Sequence, residues 1–168
     1  MGTPYSTLIN SFLRRIEKDG DFFDYVNLSG AESLVLATTR AQGYLEEALG
    51  KIAIECQPSV DFSDIDEDEA TGAISFNFDL TIHEKFLIPS LMYEVYLNRE
   101  FAYLKNLSVN YTPVELRVFD PSNARSTFLD IYKLVQEENV HLMDLYKNTD
   151  RATGTFVWID YNFYNDDE

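Results

Sequence analysis

Cysteine is almost missing from this chain: Cys56 is the only one in 168 residues. A lone cysteine excludes an internal disulfide and a thiolate metal site. Cys56 reads as a small apolar side chain at a helix end. Histidine is nearly as scarce, with only His83 and His141. No His-x-x-x-His pair occurs, and no glutamate is placed to complete a metal triad. The glycines form no phosphate-binding loop and no Gly-x-Ser-x-Gly elbow. Basic residues are few as well. Lys and Arg number 13 against 29 Asp and Glu, so the net charge is −16 and the pI is near 4.3. Such a chain is not expected to bind nucleic acid by itself, because phosphate contacts need clustered Lys and Arg. No apolar run approaches the roughly 20 residues that span a bilayer. The amino terminus lacks a basic-then-apolar stretch, so no secretory signal is expected. These absences lead to the expectation of a soluble protein from a reducing compartment, with no cofactor, no metal, no membrane contact and no catalysis.

What is present is apolar and periodic. The composition is 45% hydrophobic. A chain of this length can bury about 70% of the surface its unfolded form exposes. The stretch from Phe78 to Leu107 organises the rest. Thr81 with Glu84 makes a capping box that starts a helix. Ile82, Phe86, Leu87, Leu91, Met92, Val95, Tyr96, Phe101 and Leu104 then recur at helical spacing on more than one face, as in a helix packed on several sides. Pro89 removes one backbone donor, and a kink is expected between Lys85 and Pro89.

Three more helices are predicted. Thr3 and Pro4 read as an N-cap and first helical position, with Tyr5, Leu8, Ile9, Phe12, Leu13 and Ile16 on one face. Arg14, Arg15 and Lys18 sit in the last turns, where cations suit the helix dipole. Phe22, Phe23, Tyr25 and Val26 form an apolar connector. Ser29 and Glu32 make a second capping box, and a helix from there to Cys56 carries Leu34, Ala37, Ala41, Leu45, Ala48 and Ile52 on one stripe. A last helix follows Asp120-Pro121-Ser122 and runs to Lys147. Its predicted inward residues are Phe128, Ile131, Tyr132, Val135, Leu142, Leu145 and Tyr146. Ser108 to Asp120 reads as a short extended segment.

Between the second and central helices, Val60 and Phe62, then Ile74, Phe76 and Phe78, alternate with polar residues. This pattern predicts a β-hairpin at about 58–78 joined by an acidic loop. The acids Asp61, Asp64, Asp66, Glu67, Asp68 and Glu69 stand there with no base among them. Asp64-x-Asp66-x-Asp68 begins like a calcium loop, but Glu69 stands where that loop needs glycine and Ser75 where it needs glutamate. The run therefore reads as a solvated loop. An isolated hairpin is marginal in water, so this one is expected to pack on the bundle or pair with another chain. The last segment, after Arg151, is aromatic and acidic, with Phe156, Trp158, Tyr161, Phe163 and Tyr164. Thr155, Val157, Ile159, Tyr161 and Phe163 alternate as in a strand. Such a strand suits pairing with the hairpin of its own chain or addition to another sheet. The expected fold is mainly α: a small bundle of about four helices over residues 1–150 with a β-hairpin, then an extended tail over 151–168.

Several short stretches resemble the head–tail connector (adaptor) proteins of tailed phages and prophages of Gram-positive bacteria. The resemblance is carried by Gly2-Thr3-Pro4-Tyr5 with Phe12-Leu13-Arg14-Arg15-Ile16, by Phe78-Asp79-Leu80-Thr81 with Glu84, and by Leu91-Met92 with Leu97-Asn98. It spans roughly Met1 to Lys147. It implies a structural virion protein of the neck, made in the host cytoplasm. Its copies would form a homo-oligomeric ring, a dodecamer, under the portal protein. The ring would extend the channel through which genomic DNA passes without specific binding, and would dock the next neck or tail component. The resemblance brings no catalytic residues. Pro89, the acidic hairpin loop and the tail after Arg151 depart from the family pattern. In such a ring the acids from Asp61 to Glu69 are expected to face the channel, and Phe156, Trp158, Ile159 and Tyr161 to anchor the chain to another subunit or to the portal. Deletion of residues 152–168 is expected to leave a folded monomer that no longer assembles. The alternatives are another neck or tail-completion protein, or a small bacterial hydrolase or regulatory binding protein.

Overall fold

The computed structural model describes residues 2–23, 25, 27–110 and 121–157. In chain order the elements are α1 (Tyr5–Arg15), α2 (Gly20–Phe23), α3 (Gly30–Cys56), β1 (Ile65–Asp68), β2 (Ala73–Phe76), α4 (Ile82–Asn110) and α5 (Pro121–Lys147). Four of these helices make the bundle, and α2 is a single turn. The architecture is mainly helical with a small antiparallel hairpin.

α4 packs against α1, α3 and α5 and is the centre of the bundle. Its capping box is formed: the Thr81 N–H donates to Glu84 Oε2 (2.7 Å) and the Glu84 N–H to Thr81 Oγ1 (3.2 Å). Leu87, Ile88, Leu91, Met92, Tyr96 and Leu97 are buried. The helix runs on as one element through the buried Pro89 and ends at Asn110, so it takes in the start of the segment expected to be extended. The rest of that segment, 111–120, lies outside the described residues. Two residues expected inside are not. Ile82 is 84% and Phe86 51% exposed. The cap turns the buried Glu84 toward α5, and residues two positions away in a helix point to the opposite side.

α3 starts at the predicted capping box, with both the Ser29 and Glu32 bonds present. Ala37, Ala41, Leu45, Ala48 and Ile52 are fully buried. Small side chains on this stripe let neighbouring helices approach closely. Leu34 departs from expectation: it is exposed together with Val35 and Leu36, because continuous packing begins only at Ala37. α3 ends at Gln57, which adopts a left-handed conformation (φ 46°) just before Pro58. Proline there cannot continue the helix. On α5, Phe128, Tyr132, Val135, Leu142 and Tyr146 pack on the core, but Ile131 is exposed. Its most deeply buried residues are Met143 and Asn139.

Aromatic rings join the first helices to the centre. Phe12 meets Phe22, Tyr44 and Tyr96 edge-on, at centroid distances of 6.1, 5.7 and 6.1 Å. Edge-to-face pairs at these distances are favourable beyond their buried area. Phe22 of the predicted apolar connector is thereby part of the core, with Phe23 beside it; Val26 lies outside the described residues.

The hairpin differs from its sequence reading in register. The first strand is the acidic run itself, pairing Ile65 with Phe76, Asp66 with Ser75, Glu67 with Ile74 and Asp68 with Ala73. Val60 and Phe62 precede the strand, and Phe62 is buried against Phe76 and Phe78. The supposed long acidic loop is a tight turn through Gly72, whose φ is 65°. Asp68 holds this turn by accepting from the Ala70 N–H (3.0 Å) and the Thr71 hydroxyl (2.6 Å). Alternation of apolar residues placed the first strand too early, because β1 has only Ile65 as an apolar side chain.

The outer edge of β2 is taken by the amino terminus. Pro4 bridges Ser75, the Thr3 N–H donates to the Phe78 carbonyl (3.1 Å) and the Phe76 N–H to the Thr3 carbonyl (3.0 Å). Thr3 is therefore not the cap of α1. Its hydroxyl accepts from the Leu80 N–H at 2.9 Å, and Pro4 takes the N-cap position without a side-chain bond. Gly2 lies so close to β2 that an added Cβ would come within 1.5 Å of the Phe76 carbonyl oxygen. Tyr5 then packs on Phe76, with ring centroids 4.7 Å apart.

Candidate functional site

Two buried carboxylates sit on α4, one near its start and one a few turns later. Glu84 is fully buried. Arg151 Nε reaches its Oε1 at 2.8 Å, and Tyr146 donates its hydroxyl to the same oxygen at 2.8 Å. Arg151 also donates to the Asp79 carbonyl (2.8 Å) and lies over the Phe78 ring, 5.2 Å from its centroid. Burial alone would raise the Glu84 pKa. The bonds from Arg151, the Thr81 backbone and Tyr146 outweigh it and hold the carboxyl below its ordinary value. Tyr146 is pushed the other way, first by burial and then by its bond to the carboxylate.

Arg151 is aimed by a turn that ends α5. Asp150 accepts from the Thr153 N–H and hydroxyl (2.7 and 2.8 Å). Gly154 supplies a positive φ of 68°. Thr149 bridges Phe156, and the Val157 N–H donates to the Asn148 carbonyl at 2.8 Å. Asp150 to Gly154 thus form a built turn. Phe156 and Val157, the described start of the predicted strand, bond back to Thr149 and Asn148; its remainder lies outside the described residues.

The second carboxylate, Glu94, joins three helices. Lys51 of α3 binds both its oxygens (2.8 and 3.0 Å), and Asn139 of α5 donates to Oε2 at 2.7 Å and to the Ser90 carbonyl at 3.3 Å. Asn139 Oδ1 is buried without a partner.

These groups are structural pairs, with their charges satisfied by each other. Among the described residues, no grouping of His, Cys, Asp or Glu is arranged to hold a metal. His83 and His141 are both exposed and stand on different helices. Cys56 is half-buried, and burial raises its thiol pKa, which disfavours the reactive thiolate. A shallow recess lined by Ala53, Gln57, Pro58, Ser59, Val60, Asp61 and Phe62 opens beside the end of α3.

The surface is more distinctive than the interior. Asp61, Asp64, Asp66, Glu67, Asp68 and Glu69 are all exposed on or beside the hairpin. Hydrogen bonds from Ser63 lower the pKa of Asp61, and those from Thr71 and Ala70 lower that of Asp68. Exposed apolar residues stand on three helices: Leu34, Val35 and Leu36 on α3, Ile82 and Phe86 on α4, Leu134 and Val140 on α5. Phe156 of the predicted anchor is 53% exposed and Val157 58%. Trp158, Ile159 and Tyr161 lie outside the described residues. Among the described residues, no helix is long and apolar enough to cross a membrane.

The sequence offered Glu84 only as a cap and Tyr146 only as an inward residue of the last helix, and gave no sign of Arg151 or of the Lys51–Glu94–Asn139 set. A glutamate that is both a cap and flanked by apolar residues was the one available signal. Comparison with family models, with curated proteins and with solved structures gave no match.

Proposed function

We propose that this chain is a structural virion protein, a head–tail connector whose copies form a ring between portal and tail and catalyse no reaction. The observation that carries the reading is the set of exposed apolar side chains on α3, α4 and α5. Large apolar residues left in water on several faces are what a subunit presents to neighbouring copies and partners. The resemblance at Gly2 to Tyr5, at Phe78 to Glu84 and along α4 supports the same assignment.

The charge fits this role. A subunit of net charge −16 multiplied around a ring repels DNA phosphates, so the genome slides without sticking, provided the acids lie within about 10 Å of it at moderate salt. The test is sizing of the purified chain, alone and with portal, followed by negative-stain microscopy. A closed ring that leaves linear DNA unbound at low salt is the expected result. A monomer that ignores portal, or a ring that binds DNA, overturns the proposal.

A further inference from the structure

We propose that the acidic hairpin of one subunit docks on the corner where α1 ends and α4 begins in the next, so that the ring closes head to tail. This rests on the ring reading above and names the surfaces that make its contact. The corner is built around Arg15, whose guanidinium lies over the exposed Phe86 ring, 5.3 Å from its centroid. One turn before Phe86 stands Ile82, 84% exposed, with Lys85 between them. Lys18 is exposed just past the end of α1. Among the described residues, the ion pairs involve Lys51, Arg99, Lys147 and Arg151. Among the described residues, Arg15, Lys18 and Lys85 have no carboxylate within ion-pair reach. Burial against α4 lowers the Arg15 pKa, and Glu138 of α5 acts on it only at longer range. The corner thus combines cations that form no ion pair among the described residues with two exposed apolar side chains, in a chain that is otherwise strongly acidic.

The hairpin is its complement. No Lys or Arg occurs between Asp61 and Glu84. Asp66, Glu67 and Glu69 have no partner among the described residues, and Ile65 beside them is 43% exposed. Asp66 lies on the side of the hairpin away from the buried Phe76, since cross-strand partners share a face and Asp66 pairs with Ser75. Each surface therefore carries charge without an ion-pair partner among the described residues, and the two signs are opposite. Ile82 and Phe86 add exposed apolar surface at the corner, while Ile65 shares the Phe76 face of the hairpin. Two different patches that fit each other give a heterologous contact, which closes into a ring when the rotation allows.

Charge reversal with sedimentation of the full-length chain tests this. Asp66→Lys with Glu69→Lys alters the hairpin without touching the Asp68 bonds that hold its turn. Lys18→Glu with Lys85→Glu alters the corner and leaves Arg15 on Phe86. Each double variant alone should keep its helical circular dichroism and weaken assembly about tenfold or more, since like charges then face each other. Mixing the two should restore rings, because subunits that alternate again meet with opposite signs. Variants that assemble like the wild type, or a mixture that stays dissociated, overturn the proposed contact while the ring reading stands. Loss of assembly from the corner variant only would assign that corner to another acidic segment and also overturn it. A wild-type chain that never assembles removes the ring reading and this contact together.

Discussion

Glu84 does three jobs with one carboxylate: it caps α4, receives Tyr146 from α5 and pairs with Arg151 beyond it. A buried charge needs every such partner, since leaving one buried ion unpaired costs several kcal/mol. Arg151 retains some contact with water, its side chain being 23% exposed, so Glu84→Gln is expected to cost about 3 kcal/mol, at the low end for a buried pair. Thermal unfolding at neutral pH measures it. The sign of the pH dependence follows from the lowered pKa of Glu84. Its contribution is present above the ordinary carboxylate value of 4.5 and is lost as the pH falls below it through the folded value. The wild type should therefore lose stability in this acid range faster than Glu84→Gln. Equal acid slopes would show that the pair adds nothing. The sequence displayed Glu84 as a cap because capping is local. Its burial was not legible, since Arg151 lies 67 positions away.

At the scale of elements, amphipathic helices were legible and their mutual arrangement was not. The α3 stripe of alanines and the capping boxes rest on spacing alone. What holds α3, α4 and α5 in register is Lys51–Glu94–Asn139, three polar residues that look like ordinary surface positions in sequence. Lys51→Met keeps most of the apolar stem of the side chain and removes its charge. It leaves Glu94 with Asn139 as its remaining side-chain donor, and is expected to cost about 2–3 kcal/mol, less than an entirely orphaned buried charge. Urea unfolding checks this, and a stability within error of wild type would show that the network is dispensable. The hairpin failed in the opposite direction. Its first strand is too acidic to read as one, and it forms because Phe76 is buried beneath it and the amino terminus secures the far side of β2.

For the whole molecule the question is what the chain does with surface it does not bury. Phe156 and Val157 leave the Asp150–Gly154 turn half exposed. Removing residues 152–168 would also strip the Thr153 and Val157 bonds that hold Arg151 against Glu84. Truncation after Val157 keeps them. That truncated chain is expected to retain the wild-type unfolding temperature and to lose assembly, measured by calorimetry and sizing. A marked drop in unfolding temperature would assign the removed residues to the core of the subunit.

The sequence by itself determined the capping boxes that start α3 and α4, the alanine stripe that α3 buries, and the strong excess of negative charge. These depend on neighbours within a turn or two, and on composition. Only the tertiary structure decided that Gly2 and Thr3 extend the hairpin, that Ile82 and Phe86 face water, and that Arg151 closes the bundle. Those outcomes are set by contacts between residues far apart in the chain, whose partners become neighbours only once the helices have packed.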